Sequence, residues 1–330
     1  MTGKTSIEWT AMPGYRGAVW NPTTGCTRVS AGCDQCYAFS LHDKRYATNL
    51  KAAESAVAAG WTPVGSEPTP RGRHAIEWAR VFAPKALPWP KQYDLPFSRV
   101  QLLPERLDAP LRTRTPTCYF VDSMSDLFHE DVPDAFLDRV FGTMESERVE
   151  HHRFLILTKR PERMARYMRN VVGSGSPKNN IWLGTSVEDQ ASFDERMPHL
   201  RATPAAVRFL SCEPLLGPLD TQYSSWKGAW EPIDRSPVHW LIVGGESGPR
   251  ARPMDLTWVR SLRSQCQSAG DVAFFMKQLG SNPVGRTMGF TKVDNGFAGE
   301  WTTAPLKLRE SHGRNPEEWP EDLRIREWPR

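Results

Sequence analysis

Three cysteines fall within eleven residues of the chain: Cys26, Cys33 and Cys36, in the run GCTRVSAGCDQCYA. Three thiolates suffice for a cubane iron–sulfur cluster whose fourth iron stays open to a small-molecule ligand, and that open iron would be the reactive site. A structural zinc site is the rival reading, because zinc takes four closed ligands and His42, six residues beyond Cys36, could supply the fourth. Unliganded thiols are the third. A disulfide framework fits poorly, since the local count is odd and Cys118, Cys212 and Cys266 are scattered through apolar or amphipathic segments. The chain has no second Cys-x2-Cys knuckle and no His-x3-His ending, and at 330 residues it needs no metal staple to fold. Those features favour the cluster.

The elements that must position such a loop are legible downstream. Short runs that are apolar without alternation recur at TCYFVD (117 to 122), RFLILT (153 to 158), IWLGTS (181 to 186), VRFLSC (207 to 212), HWLIVG (239 to 244) and VAFFMK (272 to 277). Continuous apolar runs suit strands buried on both faces, as in a parallel sheet. Helical stripes lie between them. Phe136, Leu137, Val140 and Met144 share one face after Pro133; Met164, Tyr167 and Met168 follow Pro161; Leu256, Val259, Leu262 and Cys266 end at Gly270, a natural C-cap. The βα period is 26 to 36 residues. Two upstream segments, AVWNP (18 to 22) and SRVQLL (98 to 103), bring the expected strands to eight. The expected fold is therefore an α/β (β/α)-barrel, complete or partly open, rather than a doubly wound sheet, because no dinucleotide fingerprint follows the first strand.

Residues 1–282 are read as the barrel domain, with an insertion over 51–116 that is rich in proline and carries Trp61, Trp78 and Trp89. Residues 283–330 are read as an irregular wrapping tail anchored by tryptophans. Barrel active sites form at the carboxyl ends of strands. The candidates there for catalysis at the substrate mouth are Asp122, Ser123, Asp126, Lys159, Arg160 and Glu213. The VGGESG run is ambiguous between a backbone cradle for a cofactor and a tight turn.

Composition allows a wide range of partners. Net charge is +4, but residues 71 to 115 hold nine basic and four acidic side chains, and residues 148 to 169 hold seven and two. Either segment could attract phosphate. The first residues, MTGKTSIEWT, lack the apolar run of a signal peptide, and no stretch reaches the length of a membrane span, so a reducing, cytoplasmic setting is expected.

Taken together, WNPTTGCTRVSAGCDQCYA, VDSMSDLFHEDVP, LTKRPERM, WLGTSVEDQ, FLSCEPLLGP and IVGGESGPRARPM resemble a family of unknown function first noted in bacteriophage and prophage genomes. That family is itself similar to radical S-adenosylmethionine enzymes, with spore photoproduct lyase as a distant relative. The resemblance implies a radical enzyme in which Cys26, Cys33 and Cys36 hold a [4Fe-4S] cluster and S-adenosylmethionine binds its open iron. An electron donor reduces the cluster, and the resulting 5′-deoxyadenosyl radical takes a hydrogen from substrate, here expected to be a nucleic acid or nucleotide. Tyr37, Ser186, Glu188, Gly244, Gly245 and Glu246 are then candidates for cofactor contacts. Two departures stand out: the superfamily spacing is Cys-x3-Cys-x2-Cys, shorter than here, and Gln35 occupies the place of its usual aromatic, with Tyr37 just after. Other readings are a zinc-bearing binding protein and a radical enzyme acting on a peptide or partner protein.

Overall fold

Strands that are apolar without alternation need cover on both faces, and the fold supplies it. The computed structural model describes residues 3–5, 7–60, 69–172, 177–221, 238–293 and 296–329; Trp61 lies outside them. Seven parallel strands form one sheet in chain order: β1 (Arg16–Trp20), β2 (Thr117–Val121), β3 (Arg153–Thr158), β4 (Ile181–Ser186), β5 (Val207–Cys212), β6 (Trp240–Gly244) and β7 (Ala273–Gln278). An antiparallel pair, Gly3–Lys4, extends the β1 edge. The sheet curls into a half barrel.

Alternation along each strand sends side chains to two different cores. Tyr119, Val121, Phe154, Ile156, Leu183, Leu210, Leu241, Val243, Phe274 and Met276 face outward and pack with the helices. Those helices are α3 (Asp134–Glu145), α4 (Pro161–Val172), α5 (Gln190–Arg201) and α6 (Leu256–Ala269), after two earlier ones, α1 (Tyr37–Gly60) and α2 (Arg73–Phe82). The stripes read from sequence on α3, α4 and α6 are all buried there, and Gly270, with φ +81°, closes α6.

On the concave side Cys118, Leu155, Trp182, Phe209, Trp240, Ile242 and Phe275 form a second core with Trp9 and Met12. Trp240 stands at its centre, edge-on to Trp9, Trp182 and Phe275 at ring separations of 6.2, 6.1 and 5.8 Å. Gly184 makes room for this packing, because a Cβ there would lie 2.6 Å from the Phe209 ring. The tail completes the floor. Phe275 bridges to Arg326, the Trp240 indole donates to the Glu327 carbonyl (2.8 Å), and the Trp328 indole donates to the Trp9 carbonyl (3.1 Å).

Three expectations need correction. SRVQLL is not a strand of the main sheet: hemmed by Pro96 and Pro104, it contributes only Gln101–Leu102, paired antiparallel with Thr23–Thr24. The tail is not irregular at its start, since Pro283–Val293 and Gly296–Pro305 form an antiparallel ladder docked beside Met254–Asp255. The insertion boundary at 51 also falls inside α1, which runs from the cysteine loop to Gly60 and packs with α2 around Ala53, Val57, Ile76 and Ala79. Among the described residues, no helix is long and apolar enough to cross a membrane.

Candidate active site

The stretch from Gly25 to Cys36 leaves β1 and crosses the carboxyl ends of the later strands before α1 begins. Its root is glycine-dependent. Gly25 has φ +94°, and a Cβ there would lie 2.3 Å from the Arg99 carbonyl oxygen. The adjacent Cys26 N–H donates to Phe97 O (2.8 Å), so the insertion holds the loop where it starts.

Arg160, just past β3, grips the near half. Its guanidinium donates to Asp126 (3.1 Å), Glu130 (2.8 Å), the Thr27 hydroxyl (2.8 Å) and the Cys26 sulfur (3.7 Å). Asp126 is fixed in turn by the Thr158 hydroxyl (2.7 Å) and the Lys159 N–H (3.1 Å). His129 meets the Thr27 hydroxyl at 2.8 Å, and burial with the nearby Arg160 charge lowers its pKa. Burial, then the Asp126 charge, pushes the Cys26 thiol up to about 12.

Glu188, two residues past β4 and 1% exposed, supports the middle. It accepts from Ser30 (3.0 Å) and Arg196 (3.1 Å), and Lys159 Nζ lies 3.4 Å away. Gly32 lies directly on this carboxylate: a Cβ there would be 2.2 Å from Glu188 Oε1. The far half meets the segment after β6. Arg252 binds both oxygens of Glu246 (3.0 and 2.6 Å) and donates to Ala31 O (2.9 Å), with Asp34 at 3.5 Å. The Gln35 amide donates to Arg250 O (3.2 Å), and the Tyr37 hydroxyl donates to Ser123 O (2.7 Å).

Glu213 and Lys277 form a separate pair, at 2.5 and 2.7 Å, with Gln278 donating to the same carboxylate (3.2 Å). Gly244 leaves room for it, since a Cβ there would stand 3.2 Å from Glu213 carbons.

The predicted residues thus lie at the strand ends around the loop, each with internal partners. Asp122 is buried against β1: it accepts from Thr23 N–H (3.1 Å) and hydroxyl (2.8 Å), and burial lifts its carboxyl to about 7. The Ser123 hydroxyl donates to Asn21 Oδ1 (3.1 Å), Ser186 offers its carbonyl to Arg196 (2.8 Å), and Gly245 approaches Leu279 O too closely for a side chain. Of the VGGESG glycines, Gly245 therefore serves close backbone packing against Leu279 and Gly280, and Gly244 makes room for Glu213. Arg252, His129, Thr27, Ser30 and Arg196 were not singled out by sequence; Arg252 lies in the quoted IVGGESGPRARPM run, but nothing local in that run signals its partners.

Cys26, Cys33 and Cys36 are all free and partly exposed, whereas Cys118, Cys212 and Cys266 are buried. Cys212 faces the helices as a small apolar side chain. His42 is fully buried, hydrogen-bonded to Leu95 O (3.0 Å) and packed on Tyr93 and Phe97, so it belongs to the insertion interface rather than to the thiols. Among the described residues no three His, Cys, Asp or Glu side chains are grouped as metal ligands.

A family model matches residues 4–304, nearly the whole chain. The chain belongs to DUF5131, a family of proteins of unknown function. No curated protein and no solved structure was found to match this DUF5131 chain.

Proposed function

We propose that this DUF5131 protein is a cytoplasmic radical S-adenosylmethionine enzyme of the barrel type that modifies or repairs a nucleic acid or nucleotide. The observation that carries the reading is the placement of a three-thiol loop across the carboxyl ends of a curled parallel sheet, held there by residues from successive strands. The donor set fits in kind: three free, partly exposed thiols, with His42, the nearest histidine in sequence, engaged elsewhere. Cys26, Cys33 and Cys36 would hold a [4Fe-4S] cluster, which would supply the low-potential electron that reductive cleavage of a sulfonium cofactor needs.

The chain's own residues would orient and shield. Arg160 donates to the Cys26 sulfur and offsets thiolate charge. Tyr37 follows directly on Cys36 and is tied to Ser123 O, Glu213 and Lys277 add a charged pair at the strand ends, and the aromatic floor would keep water from below. Nucleic acid is favoured by the distribution of free cations. In the 148–169 run Lys159, Arg160 and Arg163 are held in internal pairs while Arg148, Arg166 and Arg169 stand exposed, and in the 71–115 run Arg71, Lys85, Lys91, Arg99, Arg112 and Arg114 stand exposed. An electron-donor protein is the other implied partner.

Anaerobic purification tests the reading: the expected product is brown, contains iron and sulfide, and cleaves S-adenosylmethionine to 5′-deoxyadenosine when reduced. Labelled S-adenosylmethionine offered with DNA, RNA, nucleotides and peptides then identifies the substrate class. Zinc without sulfide would overturn the assignment, and label carried only by peptide would overturn the substrate class.

A further inference from the structure

We propose that Arg252 is a positioning residue that fixes the far half of the thiol loop, and with it the placement of Cys33 relative to Cys26. This rests on reading the thiols as a ligand set.

The guanidinium is aimed before it meets the loop. Glu246 Oε2 accepts from both the backbone N–H (2.9 Å) and Nε (3.0 Å) of Arg252, while Oε1 accepts from Nη2 (2.6 Å). A fork held this way presents its remaining donors in one direction. They point to Ala31 O at 2.9 Å and to Asp34 Oδ2 at 3.5 Å, the residues on either side of the Gly32–Cys33 step. Both Glu246 oxygens are engaged with Arg252, so its carboxylate serves the loop rather than a cofactor amine.

The base of this clamp is itself fixed. Ser281 N–H donates to Glu246 O (2.8 Å), Gly248 N–H donates to the Ser281 hydroxyl (2.9 Å), and that hydroxyl donates to Ser311 O (2.6 Å). Gly280, with φ +76°, passes so close that a Cβ would lie 2.5 Å from Glu246 O. The tail thus backs the segment that holds the loop. An exposed ion pair alone would hold weakly. What gives the contact direction is the neutral Ala31 carbonyl, which a single ammonium cannot reach while also spanning Glu246. Arg160 performs the matching task at Cys26 and Thr27, so the loop is gripped at both ends by arginines rooted in different strands.

The test compares full-length wild type with Arg252→Gln, Arg252→Lys and, as a remote control, Arg260→Gln, whose arginine pairs with Asp322. In metal-free protein, backbone hydrogen exchange over residues 27–36 is expected to rise about tenfold or more in Arg252→Gln, with partial recovery in Arg252→Lys, no change in the control and an unaltered melting temperature. In iron- and sulfide-reconstituted protein, loss of iron to a chelator is expected to quicken about 10- to 100-fold. Wild-type exchange in the loop of Arg252→Gln would overturn the proposal, as would acceleration spread over the whole chain with a lower melting temperature. Failure of wild type to take up iron and sulfide would sink the proposed function instead and leave the exchange result to judge the clamp.

Discussion

The floor and the mouth of the half barrel are built from the same strands, a few residues apart, on opposite physical logic. At the floor the inward side chains are rings and aliphatics in mutual contact, and their worth comes from area removed from water and close packing. At the mouth the inward side chains are charged, and nearly every one is tied: Arg160 to Asp126, Lys159 to Glu188, Lys277 to Glu213, Arg252 to Glu246. Pairs of this kind add little stability, because desolvation cancels most of the attraction, but they give direction. Stability is thus concentrated below and geometry above. The thiol loop hangs from the second, not the first.

The comparison is broken most severely by removing Trp240. It lies in the centre of the floor, fully buried, touching rings from four other segments. Trp240→Ala is expected to cost about 3–5 kcal/mol in denaturant unfolding, the range for large aromatic deletions. A loss below about 1 kcal/mol would show that the floor does not hold the fold. Gly184→Ala asks the same question from the other side, because the added methyl runs into the Phe209 ring. The expected cost is about 1–3 kcal/mol from overpacking. Neither change should alter exchange in the thiol loop beyond what global unfolding explains.

How much of this could be read from residues alone follows the same division. The floor and its sheet were legible because burial on both faces leaves continuous apolar runs: RFLILT, IWLGTS and VRFLSC coincide with β3, β4 and β5. The loop was legible because cysteine spacing is local. What holds the loop was not, because an arginine and its acceptor lie 133 or 221 residues apart and neither bears a local mark of the other. Nor did any local pattern announce that Glu188, Glu246, Asp122 and Asp126, expected at the mouth for cofactor or substrate, each accept from internal donors. Strand-end carboxylates announce a mouth; whether they are free to work is a property of contacts. SRVQLL was misassigned for a related reason, since six residues between prolines look like a strand until the loop they support is seen.

Asp122 sharpens the comparison with the smallest effect, because it is a mouth carboxylate held in floor-like surroundings. Its partners are the Thr23 hydroxyl and N–H rather than a cation, and desolvation lifts its pKa from 3.8 to about 7. A carboxyl raised on folding is protonated more readily in the native state than in the unfolded one. Its contribution to stability is therefore fully present below about pH 4 and is lost as pH rises through about 7. Asp122→Asn keeps an acceptor for the Thr23 N–H, and asparagine tolerates the left-handed backbone at φ +58°. The variant is expected to lose this portion of the pH dependence, so that wild type weakens relative to Asp122→Asn between about pH 4.5 and 8 when denaturant midpoints are compared. Because the histidines with lowered pKa values, His42, His129, His152 and His239, titrate in both proteins, the difference between the two curves isolates Asp122. Parallel curves would mean that Asp122 is ionised throughout, and that the polarity of the mouth reaches down to the strand it staples.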